Sequence, residues 1–468
     1  MAKETQTGRV MEGIRCRIAA RLLCSGDRLP SVRASAASFD VSPATVVEAY
    51  DRLVAEGLIE AVPRSGFYVS PLAGAPQSPA ARAPQREHAI DPFWVSRQSL
   101  DFTQARDKPG CGWLPADWMP QTALQKALRE ASRDPELLVH YGTTAGDPAL
   151  RRQIALRFAG EGLECDPDRI LLTHSGSQAL DLICRLLLKP GDTVLLDDPC
   201  YFNYQALIAA HNVRAVSVPF TPSGPDPAVF EAIVTAERPR LYITNSNLHN
   251  PTGCSLSLVT AHRLPGIAAA HGMVIVEDDI FADFALGAPT MAALDGLSGV
   301  IRIGSFSKTL SAALRCGYIA ARPEWIEALT DLQLATGFGG PSPIATAAIS
   351  RVLAGGGYRR HMENLRRKLA RARKALADKL EPMGIVPQGN PVGGFTLWCR
   401  LPDGVDSAAL AHDCLSREVV LAPGNVFSPS QSAAAFVRLN VAQTSDHALG
   451  VIAAVLQQRA PITAPSGR

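Results

Sequence analysis

Near the N-terminus the apolar positions Val10, Ile14, Ile18 and Leu22 recur every fourth residue, the spacing of one helical face. Gly26 and Pro30 break that pattern, and a short second helix is expected around Ser31 to Phe39. After a turn at Phe39–Ser42, Ser42 can cap a third helix that has Pro43 at its first position. Val46, Val47, Tyr50, Leu53 and Val54 fall on its inward face, leaving Ala44, Thr45 and Glu48 outside. Gly57 ends it, Leu58-Ile59 opens a strand, and Pro63–Gly66 turns into the strand Phe67-Tyr68-Val69. Three helices and a hairpin make a winged helix-turn-helix, although the pattern alone equally suits a small helical domain with no ligand.

From 71 to about 90 the pattern stops. Pro, Ala, Gln and Gly dominate, and such a stretch cannot bury enough surface to offset its ordering entropy. The domains are therefore set at 1–70, a linker at 71–98 and a large unit at 99–468, with subdomains at about 140–330 and 331–468. In the large unit, short apolar runs alternate with helical ones: Arg169–Thr173, Asp192–Asp198, Pro239–Thr244, Gly272–Asp278 and Val300–Ser305. That alternation predicts an α/β fold around a mainly parallel sheet. Ligands in such folds sit at the carboxyl ends of the strands.

Composition changes little. The chain is 47% hydrophobic and 19% charged over 468 residues, with a net charge of +2, so no global basic field announces nucleic acid. Ten cysteines stand singly, without metal-ligand spacing, and are expected to be thiols in a reducing cytosol. No metal site is expected. The opening segment has no apolar leader and no run of about 18 apolar residues can span a bilayer, so a cytoplasmic protein without membrane association is expected.

The candidate chemistry lies at the strand ends. Lys308 follows a buried strand and is flanked by Ser305 and Ser307; it suits an amine held for Schiff-base chemistry, or a lysine reaching for the surface. Glu277, Asp278 and Asp279 could ligate a metal, cap a loop, or partner a buried cation such as a protonated pyridine nitrogen. Asn250, in a polar loop, could donate to a phenolate oxygen or cap its turn. Gly176, Ser177 and Gln178 open a helix where a phosphate could rest.

Two resemblances sharpen these readings. Arg28-Leu29-Pro30-Ser31 with Arg33, Val41-Ser42, Thr45-Val46, Ala49-Tyr50, Glu56–Ile59 and Ser65-Gly66 resemble the DNA-binding domain of the GntR family over residues 9–70. The resemblance implies DNA contacts from Arg28, Ser31, Arg33, Ser42, Thr45, Arg64 and Gly66. It departs at Pro43, where the family usually has arginine. From Tyr141 to Arg438 the chain resembles fold-type I aminotransferases, through His140–Ala155, Thr173–Ile183, Asp197–Tyr204, His249–Gly253, Glu277–Phe284, Gly304–Tyr318 and Phe436–Asn440. This implies pyridoxal 5'-phosphate held by Lys308 as the Schiff-base lysine. Asp278 would meet its pyridinium nitrogen, Asn250 its phenolate oxygen and Tyr201 its ring. Gly176, Ser177, Gln178, Ser305, Ser307 and Arg315 would hold its phosphate, and Tyr141 would reach the phosphate of a neighbouring subunit. Arg438 would clamp a carboxylate of substrate or effector. Many catalytic relatives have a tyrosine where Phe281 stands, which puts efficient transamination in doubt.

The whole arrangement, a winged helix-turn-helix plus an α/β aminotransferase-like domain of fold type I, resembles the MocR subfamily of GntR regulators. The function this implies is a transcription regulator that binds a double-stranded DNA operator and senses pyridoxal phosphate or an amino compound. A homodimer swapped head to tail is implied with it. The alternative is an active aminotransferase that carries a DNA-binding domain.

Overall fold

The computed structural model describes residues 5–459 apart from 21, 64, 71–91, 102–106, 286, 289 and 390. It divides into two units, Met1–Glu87 and His88–Arg468.

The first unit holds α1 (Gln6–Ala19), α2 (Val32–Phe39), α3 (Pro43–Ala55) and the antiparallel hairpin β1 (Ile59–Val62) and β2 (Gly66–Val69). Its helix starts are chemical as well as geometric: Ser31 caps α2 by accepting from the Ala34 amide, and Ser42 caps α3 by accepting from Thr45. Val10, Ile14, Val46, Tyr50, Leu53 and Ile59 form the core. The buried Tyr50 hydroxyl is satisfied by the Pro30 carbonyl at 3.0 Å and by Ser35 at 2.7 Å. Two inward assignments fail. Leu22 lies beyond the end of α1 and is 74% exposed, and Val47 is 42% exposed because Ala49, not Val47, completes the buried stripe of α3.

The second unit begins with α4 (Pro92–Asp101). This helix shortens the linker expected over 71–98, because Trp94 and Val95 are anchored in the core. Next come α5 (Gln121–Ala131), α6 (Glu136–Val139), α7 (Pro148–Gly160), β3 (Ile170–Thr173), α8 (Gly176–Leu187), β4 (Thr193–Asp198) and α9 (Phe202–Ala210). Then follow β5 (Arg214–Thr221), β6 (Gly224–Pro225), α10 (Pro227–Glu237), β7 (Leu241–Thr244), α11 (Leu258–Ala270), β8 (Val274–Asp278) and α12 (Met291–Asp295). The large subdomain closes with β9 (Val300–Ser305), β10 (Gly317–Ala320), α13 (Pro323–Gly337) and α14 (Pro343–Ala354). The remainder is α15 (Gly357–Leu380), β11 (Val386–Pro387), β12 (Thr396–Arg400), α16 (Ser407–Leu415), β13 (Ala422–Pro423), β14 (Phe436–Asn440) and α17 (Asp446–Arg459).

Among the described residues eight strands make the main sheet, in the order β3-β10-β9-β8-β7-β4-β5-β6. Strands β9, β8, β7, β4 and β5 run parallel, whereas β10 is antiparallel to both its neighbours and β6 to β5. Strands β3, β7 and β9 are buried along their whole length, as the apolar runs require of a sheet covered on both faces. The smaller sheet is antiparallel, β11-β12-β14-β13. Helix α13 packs on α8, and α14 on α5 and α7, so α5, α13 and α14 pack with the large subdomain expected over about 140–330. Residues 107–111 run with the small sheet instead, through the Gly110 amide to the Val420 carbonyl and the Asn440 amide to the Pro109 carbonyl.

Candidate functional site

The carboxyl ends of β8 and β9 and the N-terminus of α8 open into a cavity of about 290 Å³. Gly176, Ser177, Tyr201, Asn250, Asp278, Ser305, Ser307, Lys308, Arg315 and Arg438 all line it, so ten of the expected cofactor and effector residues converge. Two do not. Gln178 turns its side chain back to accept from the His174 amide at 2.6 Å, which stabilises the turn entering α8. Tyr141 is 81% exposed, in edge contact with Phe338.

The three adjacent carboxylates, whose roles the sequence leaves open, separate completely. Glu277 caps α12, accepting from the Met291 and Ala292 amides at 2.9 Å each. Asp279 is buried and pairs with the buried Arg302. Only Asp278 faces the cavity, and no cluster that could hold a metal occurs among the described residues. Its carboxylate accepts from the Tyr204 hydroxyl at 2.8 Å and the Ile280 amide at 3.2 Å. Burial raises its pKa, and the Tyr204 hydrogen bond is the largest opposing effect.

Lys308 Nζ donates to the Gly112 carbonyl at 2.7 Å. Desolvation, then the charge of Arg438, lowers its pKa to about 8, which makes part of the amine neutral and nucleophilic near neutral pH. Arg438 donates to the Asn250 Oδ1 at 2.9 Å and to the Gly110 carbonyl at 2.6 Å, while its buried Nε has no partner among the described residues. Burial brings its own pKa down to about 10, so it stays a cation. Because Asn250 spends its oxygen on Arg438, its amide nitrogen is left for a ligand. Phe281 is buried against Phe395 and Phe284, so the wall here is apolar and offers no hydroxyl.

These residues fit pyridoxal phosphate. Ser177, Ser307, Arg315 and the start of α8 provide donors for a phosphate, while the Ser305 hydroxyl, beside them, donates to the Cys316 carbonyl at 3.0 Å. Asp278 is buried with no salt-bridged cation among the described residues, the setting a protonated ring nitrogen would neutralise. Sequence reasoning missed Tyr204, Gly112, Trp113 and the cavity-lining face of α4, Val95, Ser96, Ser99 and Leu100. The signal for Tyr204 was present: it lies one helical turn beyond Tyr201, hence on the same side of α9. Replacing Tyr204 with Phe should lower cofactor affinity about tenfold by removing a hydrogen bond to a charged group, measurable by cofactor titration.

In the first unit, Arg28, Ser31, Arg33 and Ser42 are exposed, and Thr45 and Gly66 half-exposed. Ser42 and Thr45 share a hydrogen bond of 2.8 Å at the start of α3. Gly66 takes a φ of +115°, which other residues rarely adopt, with the Arg28 guanidinium alongside. Arg64 lies outside the described residues. The side chains α3 turns outward include Ala44, Val47, Glu48, Asp51 and Arg52, and Glu48 is tied to Arg52 at 2.6 Å.

Residues 115–456 match the family Aminotransferase class I and II, and residues 6–69 match Bacterial regulatory proteins, gntR family. YdcR, an uncharacterised HTH-type transcriptional regulator of Escherichia coli (strain K12), is 29% identical over 466 residues, 96% of this chain and 98% of the relative. The chain belongs to the MocR type of GntR regulator, with a class I and II aminotransferase domain. A 2-aminoadipate transaminase of Thermus thermophilus is 30% identical to this MocR-type chain, but over only 74% of it and 88% of the enzyme. The solved structure of LysN, an α-aminoadipate aminotransferase from the same organism complexed with N-(5'-phosphopyridoxyl)-L-leucine, superposes with a TM-score of 0.68. It is 26% identical and covers 75% of this chain and 92% of its own. Pyridoxal phosphate is accordingly the cofactor of the MocR-type chain's large unit.

Proposed function

We propose that the protein is a DNA-binding transcription regulator whose large unit binds pyridoxal phosphate and senses the cofactor, an amino compound, or both. The observation that carries this reading is that a winged helix-turn-helix and a cavity lined by ten of the expected cofactor and effector residues share one chain. When bound, the cofactor supplies an aldehyde that condenses with amines. The chain's own residues then have distinct tasks: Lys308 offers the amine, Asp278 holds a proton on the ring nitrogen, and Arg438 receives an effector carboxylate. Effector binding must differ between two conformers of the large unit for the signal to reach the operator.

Arg28, Ser31, Arg33, Ser42, Thr45, Arg64 and Gly66 form the DNA-contacting set in this reading. The regulator works in the cytoplasm as a homodimer swapped head to tail, with Tyr141 reaching the partner's cofactor phosphate; its exposure leaves it available for that. Among the described residues no helix is long and apolar enough to cross a membrane.

Footprinting upstream of the protein's own gene, with pyridoxal phosphate and a panel of amino acids, should reveal a protected site whose occupancy changes with ligand. A chain that protects no site under any of these conditions is not a regulator. Arg438→Ala should abolish the response to carboxylate-bearing effectors but not to the cofactor alone; a fully preserved amino-acid response would remove the clamp from the mechanism. The intact set of Lys308, Asp278 and Arg438 favours a second reading, an aminotransferase tethered to DNA. Steady keto-acid formation from an amino donor would establish it.

A further inference from the structure

Charge is unevenly spread along the chain. Residues 1–70, the reading head, hold nine Lys and Arg against eight Asp and Glu. Helix α15 alone holds nine against two in 24 residues, so with a total of +2 the rest of the chain amounts to −5. The inner side of α15 is fixed in the core by Tyr358, Met362, Leu365, Leu369, Leu376 and Leu380. Its cations are therefore held on the outside of a rigid element.

Several of those cations are already engaged. Arg366 and Arg373 donate to the Asp283 and Gly394 carbonyls, Arg359 and Lys379 meet Glu363 and Asp446, and Lys368 lies over Trp118. Arg360, Arg367, Arg371 and Lys374 remain, all exposed and without a carboxylate partner among the described residues, although Arg367 donates to the neutral side chain of Asn364. At helical geometry they fall in a strip about 60° wide and about 21 Å long. Two of the spacings, Arg367 to Arg371 and Arg371 to Lys374, place like charges where they repel and destabilise the helix. A surface needing only solubility mixes its signs; this strip does not until Asp378 ends it.

We propose that this strip is a phosphate-backbone site for double-stranded DNA flanking the operator. The inference rests on the regulator reading above. The nine cations of the reading head are nearly balanced by its eight carboxylates, whereas the cations of α15 are not, so the strip adds positive charge that can release counterions, the main source of affinity for DNA. Its length matches the rise of roughly six base pairs. A lipid surface suits it less, since the apolar side of α15 is buried and nothing remains to insert.

The test uses the full chain and duplexes selected by it from a random pool, trimmed to the core site or carrying long flanks. The four-site variant R360Q/R367Q/R371Q/K374Q should bind the trimmed duplex as the wild type does. On the flanked duplex its affinity at low salt should drop by more than tenfold, and the slope of log K against log salt should flatten by about 3 to 4. Borohydride fixation of the cofactor at the wild-type level checks that the variant is folded. Equal slopes for variant and wild type on the flanked duplex overturn the proposal. So does a variant that loses binding to anionic phospholipid vesicles while its DNA slope stays unchanged. If the wild type selects no duplex at all, the regulator reading itself fails and takes this inference with it.

Discussion

Lys308→Ala should abolish covalent attachment of pyridoxal phosphate, so that borohydride no longer adds the cofactor's mass to the chain. The remaining contacts, from Ser307, Arg315 and the start of α8, should still hold some cofactor without a bond. In the wild type the same amine sets a pH dependence. Only neutral Nζ is a nucleophile, so attachment should quicken as pH rises and level off above about 8. Stability without cofactor should follow the same group. The fold lowers this pKa from 10.5, so between about 8 and 10.5 the unfolded chain binds the proton more tightly. Stability should therefore rise with pH through that window, and the burial cost is fully present below it. A melting temperature that falls from pH 8 to 10 in the wild type but not in Lys308→Ala would contradict this assignment.

The second large effect is expected at Gly317, on β10 between β3 and β9. A Cβ there would lie 2.6 Å from the Ser175 carbonyl carbon and 2.8 Å from the Gly176 amide nitrogen. Both contacts are backbone, so relief requires moving the first turn of α8, where the phosphate donors start. Gly317→Ala should cost on the order of 1–3 kcal/mol or more in stability. Cofactor affinity should fall more than it does in Tyr204→Phe, which perturbs one hydrogen bond and no backbone. Thermal melts and cofactor titration of the two variants separate these outcomes.

Much of the fold could be read from the chain because its signals are local. Ser31, Ser42 and Pro43 start helices whichever partners those helices find, and the strands buried on both faces declare themselves as apolar runs. What escaped depends on contacts made across the fold. The antiparallel insertion of β10, the long reach of 107–111 to the small sheet and the placing of α13 and α14 leave no periodic trace. The site divides in the same way. Lys308, Asp278 and Arg438 stand at strand ends, where position implies exposure to a ligand. Gln178 is equally well placed by its spacing, but its amide is consumed by the His174 turn, a competition between side chain and backbone that spacing does not record. Val47 shows the limit of periodicity itself, since alanine at 49 fills the buried stripe that hydrophobicity assigns to a larger residue.

Helix α4 adds a practical consequence. Its Ser96, Ser99 and Leu100 line the cavity yet form no part of the phosphate or ring-nitrogen cradle, and the buried Ser99 hydroxyl has no partner among the described residues. The wall that a ligand's side chain meets can thus be rewritten within ten residues of contiguous sequence. A short randomised cassette there would yield a library of regulators with altered ligand preference, each still loaded with its cofactor, from which reporters for chosen amines could be drawn.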